Sequence, residues 1–409
     1  MKTALVVLSG ALALATPPGW SEVLLPLIRS GPAGLAWGYD GRMYGVENDR
    51  NKFFRLDPAQ HKVTAEWPLP TIRDGAPVVA LPGRIFAGGT DGIAVLDTRA
   101  GKVSEIPLPG VSVTGLAVDR ANGVVYYTDA HSGAISKLVG RKTTPFAVLN
   151  PKSGRPCIPY GIVFEPRTKA VFVGCQGSNE IWRVNPDGKA TAYGIPSPNS
   201  LPEDFVLGRD GKIYAALFDA GAVAQLDPAS GRVETLPLPS ASKLVGVAFD
   251  ASDRLWFDLP ARAGVGWIDR TTRAVTQYDL TRGAEPVTLA PGPHGQLYYS
   301  DLARSSVGVF APDPAPGAGA SERVFARDLY KRTSWTIKVT ARKALAVDVL
   351  DAPGTAVTLA AKVKVARTLN LSGHQRFRVA TPAGSKATLT LDVRTLEPQT
   401  VTVRVSPVR

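Results

Sequence analysis

Carboxylates dominate the side chains of this chain that could do chemistry. Glu47, Asp49, Asp129, Asp219, Asp258, Glu285 and Asp301, with Gln176, Glu203 and Asp204, flank short β-rich runs. Oxygen donors of this kind suit a hard cation, Ca²⁺ or Mg²⁺. Glu47, Asp129 and Asp258 are the ligand candidates. The plainer alternative is a set of solvated acids in loops, where such residues are common. His131, one of four histidines, follows Asp129 by two positions and is the candidate base, against the alternative of a solvated loop histidine. No G-x-S-x-G, H-E-x-x-H, P-loop or dinucleotide fingerprint stands in a suitable context.

The elements that must position these groups form a repeat. A turn followed by a β-rich run recurs as Asp40-Gly41-Arg42-Met43-Tyr44, Pro82-Gly83-Arg84-Ile85-Phe86 and Asn122-Gly123-Val124-Val125-Tyr126. It returns as Thr168-Lys169-Ala170-Val171-Phe172, Asp210-Gly211-Lys212-Ile213-Tyr214, Ser252-Asp253-Arg254-Leu255-Trp256 and His294-Gly295-Gln296-Leu297-Tyr298. Successive second residues lie 42, 40, 46, 42, 42 and 42 positions apart. A second landmark, Leu56-Asp57 in the first copy and Phe310-Ala311 in the last, keeps the same spacing. Each copy has room for four short strands. In the fifth copy these are Phe205-Val206-Leu207, Lys212 to Leu217, Ala222 to Leu226 and Arg232 to Leu236, joined by Asp-Gly and Asp-Pro-x-x-Gly turns. Four antiparallel strands per ~42 residues mark a propeller blade. The spacing predicts an all-β fold, a seven-bladed β-propeller over 22–326. The aromatic that ends each turn group is expected to pack between blades. Either Val23–Leu27 or Arg323–Ala326 closes the ring.

The repeat also places the two cysteines. Cys157 precedes the inner strand of the fourth copy and Cys175 ends the next strand, nearly equidistant from the turn at Pro166-Arg167. Opposed strand residues lie within bridging distance, so a Cys157–Cys175 disulfide is expected. An export signal fits that chemistry. Lys2, an apolar run over Ala4–Ala15 and Ala13-Leu14-Ala15 read as a signal peptide over 1–15, with a run too short to span a bilayer. A secreted, periplasmic or extracellular protein without a transmembrane span is expected.

Beyond the Pro/Gly/Ala-rich stretch Ala311–Ala320 the period is lost and alternation takes over, with six short strands from Ser334 to Val405. These predict a small β-sandwich, Ig-like but without a Cys…Trp…Cys framework, over 327–409. That segment holds 15 Lys and Arg against 5 Asp and Glu, a net +10 of the chain's +12. Such a domain would dock on an anionic envelope polymer or another cell-envelope protein rather than on nucleic acid.

The first copy reads Gly31-Pro32-Ala33-Gly34-Leu35, Asp40-Gly41, Glu47, Asn51-Lys52, Arg55-Leu56-Asp57-Pro58 and Pro68-Leu69-Pro70. This resembles the repeat of the virginiamycin B (streptogramin B) lyase family, which runs G-P-x-G-I, D-G-x-L-W-F-T-E, N-x-I-x-R-I-D-P and F-P-L-P. The resemblance implies seven blades and a Mg²⁺-assisted elimination that opens a macrocyclic lactone, with a histidine base inside an E-x-H pattern. In this chain Glu285 and Asp301 match the two carboxylates of that metal site. Val287 stands where the histidine is expected, and it can neither take a proton nor bind a metal. His294 falls at the turn on the other end of the blade. The expectation is an exported cell-envelope binding or scaffold protein without the family's lyase activity. The alternative is a Mg²⁺- or Ca²⁺-dependent lyase or lactonase acting on cyclic esters, with His131 as its base.

Overall fold

The computed structural model describes residues 17–311, apart from 59, 75–76, 239–242 and 293–294, and eight strands between 323 and 407. The signal-peptide segment 1–15 and His294 lie outside the described residues. Among the described residues no helix is long and apolar enough to cross a membrane.

Residues 21–310 form antiparallel sheets in the order of the repeat. The first repeat gives Pro32–Trp37, Met43–Glu47, Lys52–Asp57 and Lys62–Pro68. The fourth gives Pro159–Glu165, Ala170–Cys175, Glu180–Val184 and Ala190–Gly194, and the fifth Pro202–Leu207, Ile213–Leu217, Ala222–Leu226 and Val233–Pro237. The sixth gives Val247–Phe249, Leu255–Leu259, Gly264–Ile268 and Val275–Asp279. Pro286–Pro291, Leu297–Asp301 and Ser306–Phe310 make the last sheet together with Ser21–Leu24.

The second and third repeats behave differently and correct the seven-bladed expectation. They share one six-stranded sheet, so the ring holds six hydrogen-bonded sheets rather than seven separate ones. The cause is a strand that runs unbroken from Lys102 to Asp119, pairing with Arg84–Asp97 on one side and Val124–Asp129 on the other. Asp91, in the left-handed region at φ +64, folds Arg84–Asp97 back on itself, so that the Thr98 amide reaches the Gly83 carbonyl. The Asp91 carboxylate then accepts the Gly110 amide at 2.8 Å and holds the long strand at its Pro-Gly step. Phe86, Ile93, Leu116 and Tyr127 pack together between the two halves of this sheet.

The N-terminal segment closes the ring. Ser21–Leu24 pairs with Ser306–Phe310 in the register Glu22↔Gly308, whereas Arg323–Leu329 pairs with Gln399–Pro407 in another sheet. Glu22 fastens the closure: it accepts two hydrogen bonds from the Arg304 guanidinium, at 3.0 and 3.2 Å, and one from Ser306. Trp20 adds an indole bond to the Tyr299 hydroxyl. Burial raises the Glu22 carboxyl, but the bonds from Arg304 and Ser306 outweigh it and leave the group below its ordinary range.

The core lies between neighbouring sheets. The recurrent aromatics Tyr44, Phe86, Tyr126, Phe172, Tyr214, Trp256 and Tyr298 are all buried. At about 25 cal/mol per Å² of apolar area removed from water, they are among the largest single contributions to holding sheet on sheet. Near the axis, inner strands approach so closely that side chains are excluded. A Cβ at Gly161 would lie 1.8 Å from the Glu203 carbonyl, and one at Gly115 2.2 Å from that of Tyr160.

From 323 onward the strands form two four-stranded antiparallel sheets, eight strands where alternation suggests six. Arg323–Leu329 and Leu369–Ser372 are the additions.

Candidate functional site

The register explains where the carboxylates sit. One repeat position, the last residue of the second strand, pairs with the first residue of the inner strand or, in the third repeat, with Val113 inside the long strand Lys102–Asp119. Its occupants are Glu47 opposite Pro32, Asp129 opposite Val113, Cys175 opposite Pro159, Leu217 opposite Pro202 and Asp301 opposite Pro286. An inner strand enters here from a loop, with backbone N–H groups that have no ladder partner. A carboxylate at this position can accept them.

Asp129 accepts the Ser112 amide at 3.0 Å and the His131 amide at 3.1 Å, together with the Ser132 hydroxyl. Asp301 accepts the Glu285 amide at 2.9 Å and the Arg304 amide at 3.1 Å. In the fourth repeat the same place is held covalently: Cys157 and Cys175 form a disulfide with Cα atoms 4.7 Å apart. Asp129, Asp301 and the Cys157–Cys175 pair are therefore staples of the segment before the inner strand.

Asp258 sits one residue earlier in its strand and does the same work more completely. It is fully buried, and its two oxygens accept the Val245 amide at 2.9 Å and the Gly246 amide at 2.6 Å. Burial raises its carboxyl well above the usual range, the two amides pull it back, and the carboxyls of Asp204 and Glu203 add to the rise.

Glu203 and Asp204 begin the neighbouring inner strand and complete a group of inward acids. Burial lifts Glu203 to about 7; the Gln176 amide, bonded to it at 2.7 Å, opposes the rise, while Asp204 and Asp219 reinforce it. Burial lifts Asp204 to about 6 against bonds from the Val247 and Phe205 amides. Two apolar residues border this group. Ile158 and Leu201, each just before the proline that starts an inner strand, have φ +48 and +50. Gly31 holds the same position before Pro32 with φ +53 and none of the steric cost. A branched side chain there stores about 1–3 kcal/mol of strain.

The remaining expected residues do not converge. Glu285 is exposed, and its backbone carbonyl accepts the Leu302 amide. Val287 is buried at 9% exposure. His131 is exposed and its Nδ1 bonds the Gly110 carbonyl at 3.0 Å. Glu47 interacts with Glu66, Lys52 and Ser30, groups of its own sheet and the loop beside it. Among the described residues no three His, Cys, Asp or Glu side chains gather to hold a metal. At Glu285 and Asp301 the chain offers two carboxylates, one with a buried oxygen that meets no donor, and a valine. That donor set does not fit a magnesium centre that also supplies a basic imidazole.

Sequence reasoning named these acids but missed that Asp129, Asp204, Asp258 and Asp301 bind backbone amides. The available signal was their constant place, three residues after the recurrent aromatic for Asp129, Cys175 and Asp301.

A family model described as the Virginiamycin B lyase family matches residues 86–315, more than half of the chain. A virginiamycin B lyase of Nocardia farcinica (strain IFM 10152) is 25% identical over 219 residues, 45% of this chain and 75% of that protein. Among solved structures, a streptogramin B lyase superposes with a TM-score of 0.63 at 22% identity, covering 71% of this chain and 96% of its own. A catalytically inactive histidine-to-alanine variant of the Staphylococcus aureus virginiamycin B lyase, solved with quinupristin, gives 0.62 at 20% identity, covering 71% and 98%.

Proposed function

This chain belongs to the virginiamycin B lyase family, and from that premise we propose that it is an exported binding propeller that lacks the family's elimination chemistry. The observation that carries the reading is Val287, buried in the segment Glu285-Pro286-Val287 where the family pattern calls for a histidine. A valine offers no lone pair, so proton abstraction has no base there. The S. aureus relative supports the weight given to such a residue, since a histidine-to-alanine change leaves that protein catalytically inactive. His131 is a poor substitute, because its Nδ1 is engaged with a backbone carbonyl in the second and third repeats' shared sheet.

Export is supported by the disulfide, which persists in oxidising compartments. Of the three inward acids, half-buried Glu203 is the one placed to face a ligand, because both oxygens of Asp204 and of Asp258 accept backbone amides. The basic C-terminal segment supports docking on an anionic envelope polymer.

Two measurements test this. Quinupristin incubated with the purified protein and Mg²⁺ is expected to remain intact. Metal-dependent ring opening that disappears in Glu285→Ala would refute the loss of chemistry. Deleting 327–409 is expected to release the protein from envelope fractions, and unchanged fractionation would reject the docking role.

A further inference from the structure

Glu47 ends the strand Met43–Glu47 fully buried, yet neither of its carboxyl oxygens meets a hydrogen-bond donor. Lys52 stands opposite it in the next strand, and Glu66 in the strand after that, two residues from Lys52's partner Pro68. All three therefore share one face of the sheet. Glu66 Oε1 is likewise buried without a donor, and Glu66 Oε2 lies 3.7 Å from the Lys52 ammonium. Ser30 is the nearby hydroxyl, but its single proton goes to the Leu27 carbonyl at 2.5 Å. Two carboxyls on one face, Glu47 fully buried and Glu66 half-buried, with one loosely held lysine cannot both ionise at low cost. A single proton between them gives each otherwise unpartnered group a bond.

We propose that Glu47 and Glu66 share a proton and act as a pH-operated clasp on the loop that closes the ring. The loop is 25–31, between the closing strand Ser21–Leu24 and the first inner strand Pro32–Trp37. Ser30 is its node. The Ser30 amide donates to Ser305 Oγ at 2.9 Å, and its carbonyl accepts the Asp49 amide. Arg50 adds a bond from its guanidinium to the Ile28 carbonyl. The ionisable groups acting on Glu47 are Glu66 and Lys52, with Asp49 and Arg50 on the adjoining turn exposed to solvent.

Burial and the neighbouring Glu66 raise Glu47 to about 7, while Lys52 and Ser30 oppose the rise. An acid whose folded value is raised stabilises the fold below its unfolded value of 4.5, and that contribution is lost as pH climbs through about 7. Once the proton leaves, the Ser30 hydroxyl is the donor within reach, and turning it toward Glu47 abandons the Leu27 carbonyl. The loop that carries exposed Leu27 and Ile28 is then released at one end.

The test is hydrogen exchange of the full chain in peptides covering 21–31, from pH 5.5 to 8.5. Each wild-type value is compared at the same pH with Glu47→Gln, whose amide donates permanently to Glu66. Protection of the wild type relative to the variant is expected to fall about thirtyfold across that window, the change that the roughly 1.5 units between pH 5.5 and the folded value represent. A constant ratio of wild type to variant would overturn the proposal. Should Glu47→Gln fold poorly, Glu66→Gln provides the same neutral pair with the donor reversed and is read by the same ratio.

Discussion

Replacing Cys157 and Cys175 together by alanine is expected to lower the free energy of unfolding by about 3 kcal/mol, the chain-entropy value for a loop of this size. The two residues are 18 apart in sequence and buried at 3% and 0% exposure, in a cluster with Leu149, Ile162 and Trp182. Loss of two sulfur atoms from that packing adds to the entropic term. The damage should not stay local. The disulfide holds the strand start where the Gly177 amide bonds the Cys157 carbonyl and the Gln176 amide bonds the Ile158 carbonyl. Ile158 remains at positive φ because these bonds and the disulfide fix it from both sides. Gln176 in turn donates to Glu203. Freed of the bridge, Ile158 is expected to relax and Gln176 to lose its aim, so the acid group at the ring axis loosens with the blade. Urea denaturation of the double variant against wild type measures the first effect. A loss under about 1 kcal/mol would mean that the backbone bonds alone hold this corner.

That corner also shows what could be read before the structure. The nearly equal distances of Cys157 and Cys175 from the turn at Pro166-Arg167 point to the disulfide, although Cys175 pairs with Pro159 and Cys157 sits two residues before the strand. The aromatics were equally legible, since a residue fixed at one place in each repeat must meet the same surroundings each time. The number of sheets was not. Leu108-Pro109-Gly110 has the look of a chain break, yet the strand Lys102–Asp119 passes through it because Asp91, 19 residues away, accepts the Gly110 amide. No local pattern encodes that contact. The choice between two closing strands was also non-local, decided by Glu22 meeting Arg304 across 282 positions. The acids were hardest of all. Asp129, Asp258 and Asp301 look alike in sequence to acids that bind a cation. What separates them is the backbone N–H groups before each inner strand, and those are placed only when the strands take register.

Asp258→Ala should be the most damaging change to the channel wall. The variant strips the acceptor from two amides, Val245 and Gly246, and each buried donor left without a partner costs about 1–3 kcal/mol. A total of about 2–6 kcal/mol is expected. The inner strand that follows, Val247–Phe249, is three residues long and has little ladder of its own to resist the loss. There is no slack for repacking, because the Gly246 backbone already crowds the Leu289 amide of the next inner strand, which a Cβ would approach to 3.0 Å. A water entering the vacated space to satisfy one amide would reduce the loss to that of a single donor, about 1–3 kcal/mol. Asp258→Asn separates this bonding role from charge. Its carboxamide has a single acceptor oxygen, so one of the two amides faces an NH₂ group instead, and stability should fall between wild type and alanine. If burial of an ionisable group at this site were the larger factor, with Asp204 and Glu203 pressing against it, the neutral asparagine would match or exceed wild type. Denaturation midpoints of the three proteins at pH 7 therefore decide whether Asp258 is kept for the amides it binds or merely tolerated beside two other acids.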